Sequence, residues 1–442
     1  MIARLGPFAL AAAFVLAGLP AATAAAGPPW LFVTDVHFDP AARNAHPAPA
    51  GDDSNGALVD ATLAEMQRVD PDAPVVVIGG DFLAHHFDWK RASATLRELA
   101  RRFDRAFPRA QFLITLGNED SACGDYRLAP RSAFLREVAQ AWEPLVDRRG
   151  AAPAFARSFA RDGFYTARLP LARTQAVVID DVFWSPRYAA CTPSGDPAAD
   201  TFAELARALH ASADRHWLLV HIPPGIDAFS TAHVTHRLAI VPFLQPVERD
   251  RLVRLIADPR ANVTLVLAAH THKFAYRIAG SPERPVPLLL MPSVSPIFDN
   301  APAFLTARAD PDGTLRDLED HALLDGRWRN LGGYAALGVS RFTGPALRAL
   351  QTRLARDPGT RRDFARLYES GAASEIDDRT WPIYRCAATA FTTSAFRACA
   401  GDGGTSFLTR RGIVASILFA VAAVVAGGAI LVFVASRRRA HR

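Results

Sequence analysis

Residues 75–86, which read VVVIGGDFLAHH, constrain the fold of this chain more than any other stretch. The first four residues are apolar and β-branched, a pattern typical of a strand that is buried on both faces. Gly79 and Gly80 then allow a sharp turn, and Asp81 follows at once. Open α/β sheets carry functional side chains at this position, just past the carboxyl end of a strand. The stretch therefore predicts a central strand that ends in a functional carboxylate.

Four further apolar runs, at 31–37, 112–120, 217–225 and 264–272, also end in Asp, Asn or His. Five strands that deliver such side chains to one edge of a sheet predict a metal centre. The candidate ligands are Asp35, His37, Asp81, Asn118, His221, His270 and His272. Carboxylate, imidazole and amide donors suit zinc, iron or manganese. Each residue alone has an ordinary explanation as a turn or cap residue, so the prediction depends on the combination.

Apolar periodicity predicts that strands and helices alternate along the chain. Strands are expected at 30–33, 75–78, 111–116, 163–169, 174–180, 217–220, 263–267 and 286–291, the last of these as the final core strand. Helices are expected at 57–68, 88–107, 131–144, 201–213 and 247–257. This alternation predicts an α/β or α+β fold with a largely buried sheet. Between 342 and 397 helical patterns dominate, which predicts a small helical appendage.

Composition indicates a globular protein with a membrane bias, because half of the 442 residues are hydrophobic and 21% are charged. The formal charge of +6 would fit a nucleic-acid-binding protein. However, several of the basic residues lie at the two ends of the chain, namely Arg4, Arg437, Arg438, Arg439 and Arg442. The body is therefore nearly neutral, and it lacks a basic patch with interleaved aromatic residues. We do not expect a nucleic-acid-binding body.

The two ends of the sequence predict export and anchoring. Residues 1–26 combine an early arginine, a short apolar stretch and an A-x-A-like site, which indicates a secretory signal peptide; an uncleaved anchor is the alternative. Residues 413–435 carry no charge and are long enough to cross a bilayer, and an Arg-rich tail follows at 436–442. The positive-inside rule puts this tail in the cytoplasm. We expect the body to be exported and anchored in the cytoplasmic membrane, and therefore periplasmic in a Gram-negative cell.

Four cysteines fit an oxidising compartment. We expect a pair between Cys386 and Cys399, which would close a short C-terminal element. We also expect a pair between Cys123 and Cys191, which would join two loops near the site. The spacing does not fit a CxxC zinc site. Four free buried thiols are the alternative.

The order of the motifs D-x-H, G-D, G-N, H and A-H-x-H resembles that of the calcineurin-like metallophosphoesterase superfamily. The segments GDFLAHH, HIPPG and PSVSPIFDNAPAF narrow the resemblance to the acid sphingomyelinase-like phosphodiesterase branch. The resemblance implies a four-layer sandwich of two mixed β-sheets flanked by helices. The sequence patterns described above add a small C-terminal helical appendage and one C-terminal transmembrane helix. The corresponding domains are a catalytic domain at 27–330 and a helical subdomain at 331–405.

The resemblance also implies how the ligands divide between two divalent or trivalent metal ions. The first ion would be held by Asp35, His37 and His272, and the second by Asn118, His221 and His270, with Asp81 bridging both. Zinc is favoured, with iron or manganese as alternatives. A hydroxide that bridges the metals would be the nucleophile, as in other two-metal hydrolases.

Two residues are candidates for assisting the leaving group. His85 matches a histidine that faces the substrate phosphate in the relatives. Glu119 stands where the family motif G-N-H-D/E has a histidine, and a glutamate can act as a general acid only if its pKa is raised. We expect His85 to take this role. Asp120 could orient a ligand imidazole or cap a loop.

The function implied by the resemblance is phosphodiester hydrolysis similar to that of acid sphingomyelinase. Lipid head groups, nucleotides and polyphosphate are the candidate substrates, and a monomer is expected. A phosphomonoesterase or polyphosphatase-like hydrolase is the alternative within this class. The alternative from another class is a catalytically silent, membrane-tethered binding protein, with Glu119 as the mark of lost activity.

Overall fold

The computed structural model describes residues 27–192, 195–233 and 240–400. The expected signal peptide at 1–26, the membrane span at 413–435 and the Arg-rich tail at 436–442 lie outside these residues. Within the described part, no helix is both long enough and apolar enough to cross a membrane.

Fourteen strands form three sheets in the described residues. The strands are β1 (Trp30–Val33), β2 (Val75–Ile78), β3 (Gln111–Ile114), β4 (Arg127–Leu128), β5 (Tyr165–Arg168), β6 (Thr174–Val178), β7 (Ala189–Ala190), β8 (Arg215–Leu219), β9 (Val263–Ala268), β10 (Ala275–Gly280), β11 (Pro285–Leu290), β12 (Ala303–Ala309), β13 (Leu315–Leu324) and β14 (Arg327–Gly333). Sheet 1 has the order β14-β13-β12-β1-β2-β3, and sheet 2 has the order β10-β11-β9-β8-β6-β5. Strands β4 and β7 form a separate parallel pair.

Both large sheets are mixed, with parallel strands at the positions that matter for the site. Strands β1, β2 and β3 are parallel neighbours in sheet 1. Strands β6, β8, β9 and β11 are parallel neighbours in sheet 2. The strands β1, β2 and β3 are buried along their whole length, as expected for apolar runs in parallel sheets.

Ten α-helices are described around the sheets. They are α1 (Gly56–Val69), α2 (Ala92–Ala106), α3 (Ala133–Val146), α4 (Phe155–Asp162), α5 (Pro197–His210), α6 (Ala228–His233), α7 (Pro246–Ala257), α8 (Gly344–Arg356), α9 (Pro358–Tyr368) and α10 (Trp381–Ala387). In α2 the buried residues Leu96, Leu99 and Phe103 follow the helical repeat, so one face packs on the core while the arginines face outward. The predicted mixed α/β fold is confirmed.

The two large sheets share one hydrophobic core. The indole rings of Trp30 on β1 and Trp217 on β8 lie 5.0 Å apart between centroids, so the sheets contact each other directly. The Tyr165 hydroxyl on β5 donates to the Ile114 carbonyl oxygen on β3 at 2.9 Å. The parallel strands of both sheets are thereby fixed relative to each other, and so are the loops that follow them.

The prediction that 286–291 is the last core strand is wrong. Strand β12 pairs with β1 in the centre of sheet 1, and β13 and β14 extend the sheet. The sequence of β13, LRDLEDHALL, is rich in charged residues, yet Asp320 and His321 within it are buried. Because β13 has polar residues at buried positions, its sequence lacks the apolar alternation from which a strand is predicted.

The C-terminal helices pack against sheet 2, and both expected disulfides are present. The Ile278 amide on β10 donates to the Ala388 carbonyl oxygen at 2.8 Å. The Arg277 guanidinium, which is buried, donates to the carbonyl oxygens of Ala387 at 2.8 Å and Ile226 at 2.7 Å. Cysteine pairs 386–399 and 123–191 are confirmed, and no described cysteine is free.

Candidate metal centre

The seven predicted ligands converge where the carboxyl ends of the two sheets meet. Asp35 and His37 follow β1, Asp81 follows β2, and Asn118 follows β3. His221 follows β8 of sheet 2, and the pair His270 and His272 follows β9. Six of the seven residues are buried, and His270 is half-buried. The structure therefore brings all seven together.

One group consists of Asp35, His37 and His272, whose potential ligand atoms lie within 4.8 Å of one another. The His37 Nδ1 donates to the Leu83 carbonyl oxygen at 3.0 Å, so its Nε2 carries the free lone pair and faces the centre. The Nε2 atoms of His37 and His272 are 3.1 Å apart. The Asp35 Oδ1 lies 3.6 Å from His272 Nε2.

A second group consists of Asp81, His221 and His270, within the same 4.8 Å limit. The His221 Nδ1 donates to the Gly79 carbonyl oxygen at 2.8 Å, which points its Nε2 inward. This Nε2 lies 3.2 Å from Asp81 Oδ2 and 3.3 Å from the amide oxygen of Asn118. Asp81 Oδ2 is also 3.6 Å from His37 Nε2 in the first group. Asp81 therefore lies between the groups, where a bridging ligand belongs.

Five of the seven candidate ligands have left-handed backbone, which is uncommon for residues other than glycine. The φ values are 46° for Asp35, 42° for His37, 50° for Asp81, 70° for His270 and 59° for His272. Each such residue costs about 1–3 kcal/mol and persists only where its surroundings fix it. The Asp35 amide donates to the Gly80 carbonyl oxygen at 3.0 Å, and the His37 amide to that of Asp81 at 2.9 Å. These bonds join the loops after β1 and β2.

Glycine at position 117 is required by the close approach of the loops after β2 and β3. A Cβ atom at Gly117 would overlap the Asp81 carboxylate. The neighbouring Glu119 amide donates to Asp81 Oδ1 at 2.8 Å. Asp120 clamps the same loops, because its carboxylate accepts from the amides of Gly117 at 2.9 Å and Phe82 at 2.8 Å. Asp120 thus caps a loop, and among the described residues its carboxylate accepts hydrogen bonds from backbone amides rather than from an imidazole.

The charges in the centre suit a cation. Burial lowers the pKa of His37 to about 4 and that of His270 to about 3, so both imidazoles are neutral and able to coordinate. Burial would raise the pKa of Asp81, but the charge of His221 and a hydrogen bond from it hold that pKa well below its usual range. His221 in turn has its pKa raised to about 10, because the charge of Asp81 outweighs burial. Metal binding would displace that proton. The donor set of neutral imidazoles, carboxylates and an amide oxygen fits zinc, iron or manganese.

His85 is held beside the centre by the carboxylate of Asp53, a residue that no sequence pattern indicated. The Asp53 carboxylate accepts from the His85 amide at 2.8 Å and faces His85 Nδ1 at 3.0 Å. The His85 ring stacks on His37, with centroids 4.4 Å apart. Burial lowers the pKa of His85, but the hydrogen bond and charge of Asp53 outweigh it and raise the pKa to about 9. His85 is therefore protonated near neutral pH.

Glu119 faces His85 across a short gap, with Glu119 Oε1 3.9 Å from His85 Nε2. Burial, together with the charge of Asp81, raises the pKa of Glu119 to about 9. Its other oxygen, Oε2, is buried and has no hydrogen-bond partner among the residues that the structure describes. Both His85 and Glu119 thus carry a proton near neutral pH. The choice between them as proton donor to the leaving group therefore depends on how each side chain is oriented.

Comparison with known proteins identifies a family for most of this region. The sequence model of the calcineurin-like phosphoesterase family matches residues 28–274. The human protein named acid sphingomyelinase-like phosphodiesterase 3b is 23% identical over 185 residues, which covers 39% of each chain. The Dictyostelium discoideum protein named sphingomyelinase phosphodiesterase D is 22% identical over 276 residues, covering 58% of this chain and 56% of that protein. The chain thus spans about half the length, or less, of these curated relatives.

Solved structures resemble the chain only weakly. The crystal structure of TT1561 of Thermus thermophilus has 12% identity and a TM-score of 0.32, covering 64% of this chain and 99% of that one. A Vps29 mutant from Entamoeba histolytica has 12% identity and a TM-score of 0.27, covering 69% of this chain and 99% of that one. Family membership therefore depends on the sequence match over residues 28–274.

Proposed function

The chain belongs to the calcineurin-like phosphoesterase family, and from this premise we propose that it is a metal-dependent phosphoester hydrolase that cleaves phosphodiesters. The observation that carries the proposal is Asp81, which lies between two groups of converging ligands. The names of the two sphingomyelinase-like relatives support a diester as substrate.

Two metal ions, with zinc favoured, would be held by the residues already described. Asp35, His37 and His272 would hold one ion, Asn118, His221 and His270 the other, and Asp81 would contact both. When bound, such a pair activates water as the nucleophile and neutralises charge on the phosphoryl oxygens.

The chain's own residues would then protonate and place the leaving group. Asp53 fixes the His85 ring through Nδ1, which leaves the Nε2–H of His85, 3.9 Å from Glu119 Oε1, to donate to a leaving group. Phe298, which is 54% exposed, packs edge-on against His85 and His272 with centroids 5.8 Å and 4.7 Å away. It supplies an exposed apolar surface next to His85, and such a surface would suit an organic leaving group.

The candidate substrates are lipid head groups, nucleotides and polyphosphate. We also propose that the body is exported and tethered to the cytoplasmic membrane. Two disulfides within the described residues support an oxidising compartment. A tethered enzyme would meet lipid head groups at the membrane surface and soluble esters next to it.

The test is metal analysis of the full-length protein together with hydrolysis of bis(p-nitrophenyl) phosphate and p-nitrophenyl phosphate. We expect two metal ions per chain and faster hydrolysis of the diester. Metal ions supply several kcal/mol of transition-state stabilisation, so Asp81→Asn should lower kcat by at least about 100-fold. Faster hydrolysis of the monoester would make the protein a phosphomonoesterase. If the protein binds no metal and hydrolyses neither ester, with or without Asp81→Asn, it is the catalytically silent binding protein.

A further inference from the structure

Two segments, 118–128 and 185–191, form a clamp beside the second group of ligands. The Cys123–Cys191 disulfide joins them, and so does the parallel pairing of β4 with β7. The Tyr126 amide donates to the Asn118 carbonyl oxygen at 2.9 Å, and the Ala189 amide donates to that of Tyr126 at 2.9 Å. The clamp is therefore fixed covalently and by backbone hydrogen bonds.

Within the clamp, the side chain of Asp125 determines how the Asn118 amide is oriented. The Asn118 Nδ2 donates to Asp125 Oδ1 at 2.9 Å. A carboxylate can only accept, so the NH₂ end of the amide must face Asp125. The oxygen end then faces the centre, 3.3 Å from His221 Nε2. A flipped amide would present hydrogens to a cation, so this orientation is a condition for Asn118 to act as a ligand.

Asp125 is itself held by Arg187, which extends the network to His270. The Arg187 Nη2 donates to Asp125 Oδ2 at 2.8 Å, and the guanidinium lies 4.1 Å from the centroid of the Tyr126 ring. The Tyr126 hydroxyl lies 3.3 Å from His270 Nε2. That contact engages Nε2 and leaves Nδ1 of His270 for a metal. One network thus orients two ligands of the second group, Asn118 and His270.

We propose that Asp125 is a positioning residue that selectively sets the affinity of the second metal position, with Arg187 holding its carboxylate. This inference rests on the proposed function, because it needs the metal pair. Within the described residues, the hydrogen bonds of the network reach Asn118 and His270 and do not reach Asp35, His37 or His272. Its effect should therefore be confined to one of the two metal positions.

The test is an equilibrium titration of the metal-free full-length protein with Zn²⁺ and, separately, with Mn²⁺, followed by calorimetry. Loss of a residue that orients a ligand typically costs 10–100-fold in metal affinity. Asp125→Ala should weaken one of the two binding steps by about that factor and leave the other unchanged. Asp125→Asn retains an acceptor oxygen for the Asn118 amide and should restore most of the lost affinity.

Asp214 offers a matched control at the opposite end of the β8 strand from the predicted ligands. Its carboxylate pairs with Arg173 at 3.5 Å, and the two side chains are 27% and 72% exposed, compared with 32% for Asp125 and 65% for Arg187. Asp214 directly precedes β8, whereas His221 follows that strand. Asp214→Ala should therefore leave both binding steps unchanged.

Three outcomes would overturn the inference. If Asp125→Ala kept wild-type metal affinity in both binding steps, the orientation of the Asn118 amide would not depend on Asp125. Equal weakening of both steps, or failure of Asp125→Asn to recover affinity, would indicate a general structural effect. A wild-type protein that binds fewer than two metals would overturn the proposed function itself, and the inference with it.

Discussion

At the scale of single residues, this centre differs from the family pattern in its candidate proton donor, which is His85 held by Asp53. The histidine of the motif G-N-H-D/E is replaced by Glu119. Asp53 binds both the amide and the ring of His85, so the imidazole has one orientation. Glu119 has no comparable orienting partner for its Oε2 among the described residues. Orientation therefore favours His85 as the proton donor to the leaving group.

We expect His85→Ala to lower kcat by about 10²–10⁴-fold, the usual contribution of a general acid, and Glu119→Gln to lower it far less. The measurement is kcat on two diesters, one with a p-nitrophenol and one with an alcohol leaving group. An alcohol depends more on protonation, so the loss in His85→Ala should be larger for that substrate. The reverse ranking of the two variants would assign the role to Glu119.

The convergence of the seven predicted ligands could be predicted from the sequence because each follows an apolar run, and a strand end is visible in a sequence. Asp53 and Asp125 were not found, for a physical reason. Each lies in a loop, where an aspartate is most often a turn residue, and Asp53 is 32 residues from its partner His85. Such pairings depend on how loops fold over the strand ends, and no local pattern encodes them.

At the scale of elements, the loop after β9 connects the metal centre to the C-terminal helices. Lys273 directly follows His272, and its Nζ lies 2.6 Å from Glu369 Oε2 at the end of α9. The two side chains are 8% and 2% exposed. The Phe274 amide also donates to the Tyr368 carbonyl oxygen at 3.1 Å. The helical segment thus packs directly behind a ligand-bearing loop.

Glu369→Ala should lower the free energy of unfolding by about 3–5 kcal/mol, because it leaves the buried Lys273 ammonium unpaired. Urea denaturation measures this. The control is the exposed pair of Arg97 and Glu137, with 44% exposure on each side and 3.3 Å between the charged atoms. Glu137→Ala should cost less than about 1 kcal/mol. Equal costs in the two variants would show that the Lys273–Glu369 pair is dispensable.

The elements that the sequence predicted correctly are those whose burial matches a simple apolar pattern. Strand β2 and helix α2 are examples, since one is uniformly apolar and the other repeats every turn. Strands β12, β13 and β14 were missed, although β12 lies beside β1 in sheet 1. Strands β13 and β14 join the sheet through antiparallel pairing that begins at β12, and β12 itself pairs with a strand more than 250 residues earlier, as in the register of Trp30 with Ala307. Pairing over that distance leaves no local signal.

At the scale of the whole molecule, buried polar groups that are not predicted ligands also affect global stability. Asp320 on β13 is fully buried in sheet 1, and burial raises its pKa to about 8 from an ordinary value of about 3.9. The folded protein therefore favours the protonated form of the Asp320 carboxyl group. The corresponding stability is present at low pH and is lost as the pH rises from about 4 to about 8.

Relative to Asp320→Asn, the wild type should thus lose stability by up to about 1.4 kcal/mol per pH unit across that window. The amide has the same shape and does not titrate, so the variant should be the more stable protein at pH 8. Urea denaturation of both proteins at pH 5, 6.5 and 8 gives the difference. Parallel curves at all three pH values would contradict the raised pKa.

The left-handed backbone at Asp35, His37, Asp81, His270 and His272 has a consequence for stability. Glycine would adopt the same conformation at lower cost, so each of these positions is one where fold stability and chemistry favour different residues. Replacing any of the five by glycine should relieve backbone strain and at the same time remove a predicted metal ligand. The strain at these strand ends is therefore stored in the same residues that would bind the metals.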